Sequence, residues 1–212
     1  MGIISSGDDI MIYIIVFSLV AYFIGSISSA VIISKKIFKT DIRNYGSGNA
    51  GATNALRVLG KKAGALVFFF DFSKGLIAVV IARCAVAFFD APYECVLFAG
   101  FFAQLGHIFP IFFKFKGGKG VATAAGAAFG IMPVVALTLL VLFVFIVLLT
   151  KTVSVASGIC AVIYPLLAYF IGGNNAGYKF IFAVSCAVMI AVKHAPNIAR
   201  LLDGTENKIS EE

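Results

Sequence analysis

Charge is scarce in this 212-residue chain: Asp, Glu, Lys and Arg make up 13% of it, with 10 acids against 17 bases. Ordinary soluble domains carry about 25% charged residues, and so few charges cannot coat a soluble particle of this size. With 61% hydrophobic residues and a mean hydropathy of +1.03, the composition excludes a soluble enzyme, a disordered chain and a coiled coil. It leaves a single polytopic membrane domain over residues 1–212, with a lipid bilayer and not nucleic acid as its surroundings. Cysteine is sparse too. Cys84, Cys95, Cys160 and Cys186 stand singly in apolar runs. No CxxC metal site or disulfide framework is expected from them, and they read as small apolar residues. No His, Cys and Asp cluster suggests a metal, and no cofactor is expected. Basic residues are missing before Lys35, where Asp8 and Asp9 stand instead. Without a positive n-region the first apolar run reads as a retained span and not as a signal peptide.

What is present is a series of apolar runs: 10–34, 63–89, 93–113, 121–150, 153–171 and 177–192. About 20 helical residues cross a ~30 Å hydrocarbon core, so 121–150 is too long for one crossing. It contains Met132 and Pro133, and proline starts a new helix or kinks an old one. Division there predicts a short or tilted helix at 121–132 and another at 133–150, giving an all-α integral membrane fold of seven transmembrane helices. The bases support that number. Lys35, Lys36, Lys39, Arg43, Arg57, Lys61 and Lys62 fill the first loop, and Lys114, Lys116 and Lys119 another. Lys151 follows, and then Lys193, Arg200 and Lys208. The connections near 90–94, 132–133 and 172–176 hold none. With seven spans every base-rich loop falls on one side, which the positive-inside rule makes cytoplasmic. The N-terminus is then outside and the C-terminus cytoplasmic. Six spans would put the C-terminal tail on the other face.

Polar residues not needed for solubility concentrate in three segments. Residues 46–57 read GSGNAGATNALR. Gly46, Gly48 and Gly51 let backbone amides approach a ligand. Ser47, Asn49, Thr53 and Asn54 supply neutral donors, and Arg57 offers a planar fork suited to phosphate. Tight helix packing accounts for the small residues but not for two Asn plus Arg. Residues 115–123 read FKGGKGVAT, a Gly/Lys loop running into a helix start. It reads either as a phosphate cradle or as a positive-inside anchor with turn glycines. It is not a Walker A loop, because Gly120 follows Lys119 where Ser or Thr is required. Residues 193–206 place His194 and Asn197 three apart, on one helical face that Arg200 continues. His194 is a candidate acid, base or hydrogen-bond donor; a juxtamembrane helix with snorkelling bases is the plainer reading. Elsewhere, Asp71 and Lys74 read as an internal ion pair. His107 either is a satisfied interface histidine or lines the site. Arg83 has no evident partner.

No G-x-S-x-G elbow is present, and the only acids near the glycine segments are Asp41, Asp203 and Glu206. Amides, hydroxyls, Arg, Lys and one histidine suit phosphate binding and oxyanion stabilisation. They fit transfer of a group whose donor is already activated.

Together the three segments resemble the bacterial acyl-phosphate-dependent glycerol-3-phosphate acyltransferases, the PlsY family. The matching stretches are GSGNAGATNALR (46–57), GHIFPIFFKFKGGKGVAT (106–123) and HAPNIARLLDGTE (194–206), with GSISSAVIISK (25–35) and DFSKG (71–75) upstream. Ser28 stands where the family usually has proline. The resemblance covers essentially the whole chain. It implies a seven-helix enzyme of the bacterial inner membrane, with its active site on the cytoplasmic face. It would move a fatty acyl group from acyl phosphate to glycerol 3-phosphate, yielding lysophosphatidic acid and phosphate in phospholipid synthesis. It also implies catalytic roles for Ser47, Arg57, Lys119, His194 and Asn197. Substrate binding would fall to Gly48, Asn49, Thr53, Asn54, Gly117, Gly118 and Gly120, while Glu206 would be structural. His194 or a phosphate oxygen would take the hydroxyl proton. Neither His107 nor His194 is followed by Asp five places on, the pair typical of acyltransferases that use acyl-CoA or acyl carrier protein. A transporter for an anionic solute fits less well, because the polar groups cluster on one face and no internal repeat is visible. A CDP-alcohol phosphotransferase would need a multi-Asp metal motif that is missing.

Overall fold

In the computed structural model, which describes residues 7–209, every regular element is helical. The helices are α1 (Gly7–Gly25), α2 (Ser29–Lys36), α3 (Ala52–Leu59), α4 (Lys61–Phe88) and α5 (Glu94–Ile108), then α6 (Val121–Ile131), α7 (Pro133–Thr150), α8 (Val153–Ile171) and α9 (Ala176–Leu202). Among the described residues six stretches are long and apolar enough to cross a membrane: Asp9–Lys36, Lys61–Phe88, Glu94–Phe113, Pro133–Thr150, Val153–Ile171 and Ala176–Leu202. The long run at 121–150 divides at Met132 and Pro133, with proline at the start of α7. Its first half, α6, has 11 residues, which at 1.5 Å per residue is too short to cross alone.

Large side chains face outward and small ones inward. Leu137, Leu140, Val141, Phe145, Leu148 and Leu149 of α7 are exposed, whereas Ala78, Ala82, Ala99, Ala103, Ala127, Ala168 and Ala183 are buried. That order is reversed from a soluble core and is what a lipid solvent permits, since helices there gain by backbone approach. Gly75 of α4 meets the Thr123 carbonyl, and Gly126 of α6 meets that of Phe72, so closely that a Cβ at either position would strike backbone. Short α6 is thereby pressed against α4, and its N-terminus is fixed at the loop that precedes it.

The first span differs from the single helix expected over 10–34. It breaks at 26–28 between α1 and α2, with Ser28 in an extended conformation. The break frees the Ile27 carbonyl, and Lys74 Nζ donates to it at 2.9 Å. An unpaired carbonyl at this depth would be costly, so the lysine supports the break. Lys74 also pairs with Asp71 at 3.1 Å, as its spacing suggested. Asp71 Oδ1 accepts from Ser29 Oγ at 2.7 Å and lies 3.4 Å from His107 Nδ1. One buried carboxylate therefore ties α2, α4 and α5 together. Arg83 donates to the Gly130 carbonyl at 2.6 Å, joining the C-terminal halves of α4 and α6. The four cysteines are unpaired.

Candidate active site

The three polar segments converge on one cavity of about 450 Å³. The 46–57 segment contributes Ser47, Asn49, Thr53, Asn54 and Arg57, the Gly/Lys loop contributes Lys119 and Gly120, and α9 contributes His194, Asn197 and Arg200. Lys61, Asp71, His107, Ser154, Ser157, Glu206 and Asn207 complete its polar wall. Gly48, Gly117 and Gly118 lie outside the lining. A Cβ on Gly117 would strike the His107 carbonyl, and one on Gly118 the His107 ring. These two glycines let the loop lie flat on His107, and the Gly118 amide donates to the His107 carbonyl at 3.1 Å. His107 is thus both interface and site: it is buried against Asp71 and also lines the cavity.

The first loop is built around Asp41. Its carboxylate caps the 3₁₀ turn Ile42–Asn44 by accepting from the Arg43 amide at 3.1 Å. It receives the Arg43 guanidinium at 2.9 and 2.7 Å and Lys35 at 3.1 Å. The Arg43 side chain holds the Asp41 carboxyl well below the usual carboxylate range. Arg43 also donates to the Phe113 carbonyl at 3.1 Å, clamping the first loop to the second. Asn54 serves the same framework. Its Oδ1 accepts from the Ser47 amide at 2.9 Å, and its Nδ2 donates to the Tyr45 and Ile42 carbonyls at 3.0 and 3.3 Å. Asn54 lines the cavity, yet its amide is spent on the loop, whereas Ser47, Thr53 and Arg57 are free to face a ligand. Thr53 and Arg57 are one turn apart on α3, so they share its face.

Gly120 opens α6 with φ +83°, a left-handed turn that glycine adopts without strain. It aims the first amides of α6 and the Lys119 side chain at the cavity. Lys119 Nζ donates to Asn197 Oδ1 at 2.5 Å, and Asn197 Nδ2 donates to Glu206 Oε1 at 2.5 Å. Glu206 further accepts from Ser154 Oγ at 2.7 Å and from Arg200 Nε at 2.8 Å. Burial alone would raise its carboxyl, but the hydrogen bonds from Asn197, Ser154 and Arg200 outweigh that and hold it below its ordinary value. Burial brings Lys119 down to about 8; Glu206 opposes the fall, while Arg200, Arg57 and Lys193 add to it. His194 Nδ1 lies 2.8 Å from the Ile190 carbonyl. A carbonyl only accepts, so Nδ1 carries the proton and Nε2 of the neutral ring presents a lone pair.

Next to this cavity is a second, of about 490 Å³, lined by Phe72, Phe129, Leu137, Leu140, Ala125 and Tyr164 among others, on α4, α6, α7 and α8. Its wall is almost wholly apolar. Phe68, Val121, Ala122, Phe143 and Ser157 line both cavities, so the two meet along one seam. Among the described residues no three His, Cys, Asp or Glu side chains group to hold a metal. The arrangement can hold an anionic head beside an apolar tail and place reacting atoms at the join.

Residues 15–204 match the profile of the glycerol-3-phosphate acyltransferase family. The chain belongs to that family. The glycerol-3-phosphate acyltransferase of Fusobacterium nucleatum subsp. nucleatum is 43% identical over 192 residues, covering 91% of this chain and 96% of that one. The enzyme of the same name from Thermoanaerobacter pseudethanolicus is 43% identical over 199 residues, covering 94% and 97%. Among solved structures, the glycerol 3-phosphate form of PlsY, an integral membrane glycerol 3-phosphate acyltransferase, superposes with a TM-score of 0.84 at 40% identity, covering 93% of this chain and 96% of that one. Its lysophosphatidic acid form gives 0.82 at 40% identity, covering 93% and 95%. This acyltransferase is accordingly a multi-pass membrane protein of the PlsY type. Ser154, Ser157 and Asn207 are the polar lining residues that its sequence did not mark. The two serines sit three apart in an apolar helix, which is the same signal that drew attention to His194 and Asn197.

Proposed function

We propose that this membrane acyltransferase moves a fatty acyl group from acyl phosphate to the primary hydroxyl of glycerol 3-phosphate. The products are 1-acyl-glycerol 3-phosphate, which is lysophosphatidic acid, and phosphate, an early step in phospholipid synthesis. One observation carries the reading: a cavity ringed by Arg57, Lys61, Lys119 and Arg200 opens along a seam into an apolar one. Both substrates bring phosphate to the first, and the acyl chain occupies the second. Arg57, Lys119 and the α6 amides offset phosphate charge. Ser47, Asn49 and Thr53 donate to substrate oxygens. Gly48, Gly117, Gly118 and Gly120 shape the loops, and Asn54 braces the first of them. Asn197 holds Lys119 in place.

The mixed anhydride is already activated. The hydroxyl oxygen attacks the acyl carbon directly, and the bond from that carbon to the phosphate oxygen breaks. His194 Nε2 accepts the hydroxyl hydrogen bond and orients the nucleophile. The proton ends on the released phosphate, the strongest base the reaction itself creates. The distribution of bases supports seven crossings, with α6 as the short one, the C-terminus cytoplasmic and the site on the cytoplasmic face of the bacterial inner membrane.

Purified protein in lipid with acyl phosphate and radiolabelled glycerol 3-phosphate tests this. Labelled lysophosphatidic acid and released phosphate in equal amounts are expected. Product formed from acyl-CoA but not from acyl phosphate would overturn the donor. Cysteine accessibility at positions 48, 118 and 204 should label all three from one side of the membrane.

A further inference from the structure

Five residues form the seam between the two cavities, and four of them, Phe68, Val121, Ala122 and Phe143, have apolar side chains. The fifth is Ser157 of α8. Its residue is 2% exposed, and its hydroxyl has no hydrogen-bond partner. A buried hydroxyl in a helix has an easy remedy, donation to the carbonyl four residues back. Thr138, Thr150 and Ser185 all take it here. Ser157 does not. One turn before it on the same helix, Ser154 is committed to Glu206 at 2.7 Å. Leaving a buried polar group unpaired is costly, and here the unpaired group belongs to a residue on the line where the two cavities join.

A second set of donors belongs to residues of the same seam. The first hydrogen bond within α6 runs from the Ala124 amide to the Gly120 carbonyl at 2.8 Å. The Val121 and Ala122 amides therefore precede the helical ladder and have no partner within it. Both residues line the seam.

We infer that Ser157 donates the hydrogen bond that holds the carbonyl oxygen of the acyl donor and takes up its developing negative charge, flanked by the first amides of α6. This rests on the donor and acceptor assigned above. The hydroxyl oxygen of glycerol 3-phosphate bonds to the acyl carbon, and the carbonyl electron pair moves onto its oxygen. Collapse of that oxyanion breaks the bond from carbon to the phosphate oxygen, and phosphate leaves with the substrate's proton. Ser157 keeps its own proton throughout and acts as a donor only.

The test compares Ser157→Ala, Ser157→Thr and wild type with acyl phosphate and glycerol 3-phosphate. Removing one oxyanion donor costs about 100-fold in kcat or more. Ser157→Ala should show that loss with the KM for glycerol 3-phosphate unchanged. Its thermal midpoint should be equal to or above wild type, because no protein hydrogen bond is lost. Ser157→Thr retains a hydroxyl and should recover a large part of the rate. Wild-type kcat in Ser157→Ala, or a loss confined to KM, would overturn the inference. So would equal losses in the alanine and threonine variants. If alanine did not fold, Ser157→Cys, a weaker donor of similar size, would decide on the same kcat criterion. A wild type that is inactive with acyl phosphate but active with acyl-CoA would fail the donor assignment and not the serine, since the same variants can then be compared with that donor.

Discussion

The two cavities are nearly equal in size, about 450 and 490 Å³, yet they are built on opposite plans. The polar one takes its lining from loops and helix ends, drawn from 47 to 209, and its side chains are cross-braced. Lys119, Asn197, Glu206, Arg200 and Ser154 form one hydrogen-bonded chain. The apolar one is lined by side chains of α4, α6, α7 and α8, with Ile190 of α9, and its alanines and phenylalanines are held by packing. Binding a doubly charged phosphate calls for donors fixed in direction. Binding a flexible chain calls only for length and width. On the function proposed above, the same protein separates recognition into a directional half and a volumetric half.

If that separation holds, substitutions on one side should leave the other side's behaviour intact. The largest effect is expected from Lys119→Met, which should lower kcat/KM by about 100-fold or more. Chain-length preference should stay as in wild type, with Ser47→Ala following the same pattern. Rates across a series of acyl phosphates check this; a variant that altered preference would break the division. A smaller effect comes from pH. Lys119 titrates at about 8, so its charge is present below that pH and is lost as pH rises through it. The kcat/KM for glycerol 3-phosphate should therefore fall about tenfold from pH 8 to well above 9. Lys119→Arg, charged throughout, should carry the plateau further into alkali. A wild-type profile flat to pH 10 would detach that charge from binding. The smallest effect on handling of glycerol 3-phosphate is expected from the apolar wall. Ala125→Phe fills part of the tail cavity, and each methylene gained or lost there is worth about 1–3 kcal/mol. Long acyl phosphates should be disfavoured against short ones while the KM for glycerol 3-phosphate is unchanged.

Most of the fold could be read from apolar periodicity and one proline. The split at Met132 and Pro133, the Asp71–Lys74 pair and the convergence of the three polar segments are all local signals: a breaker, a spacing and a density of polar groups. What could not be read depends on distant partners. The break at 26–28 falls among small residues, Gly25, Ser26, Ser28 and Ser29, that pack in a helix equally well, and it is supported by Lys74, far along the chain, which takes the freed carbonyl. Asn54 looked like a ligand group because its residue type is right, but Ser47, Tyr45 and Ile42 claim it. Gly117 and Gly118 serve His107 for the same reason: a glycine's neighbours are not written beside it. Ser157 shares with Ser154 the three-residue spacing that marked His194 and Asn197, but only a hydroxyl left without a partner sets it apart, and that is a feature of the fold.

After α9 the chain turns at Gly204, with φ +69°, and folds back. The Ile209 amide reaches the Lys151 carbonyl at 2.8 Å, and Glu206, Asn207 and Ile209 become part of the polar wall. Every other lining residue precedes these in the chain. A ribosome delivers the membrane helices, both loops and the basic groups first, and only then the carboxylate that orients Asn197 and Arg200. During insertion the half-made protein therefore carries its cations without their organiser. The cavity's wall is completed only after every helix that lines it has been synthesised.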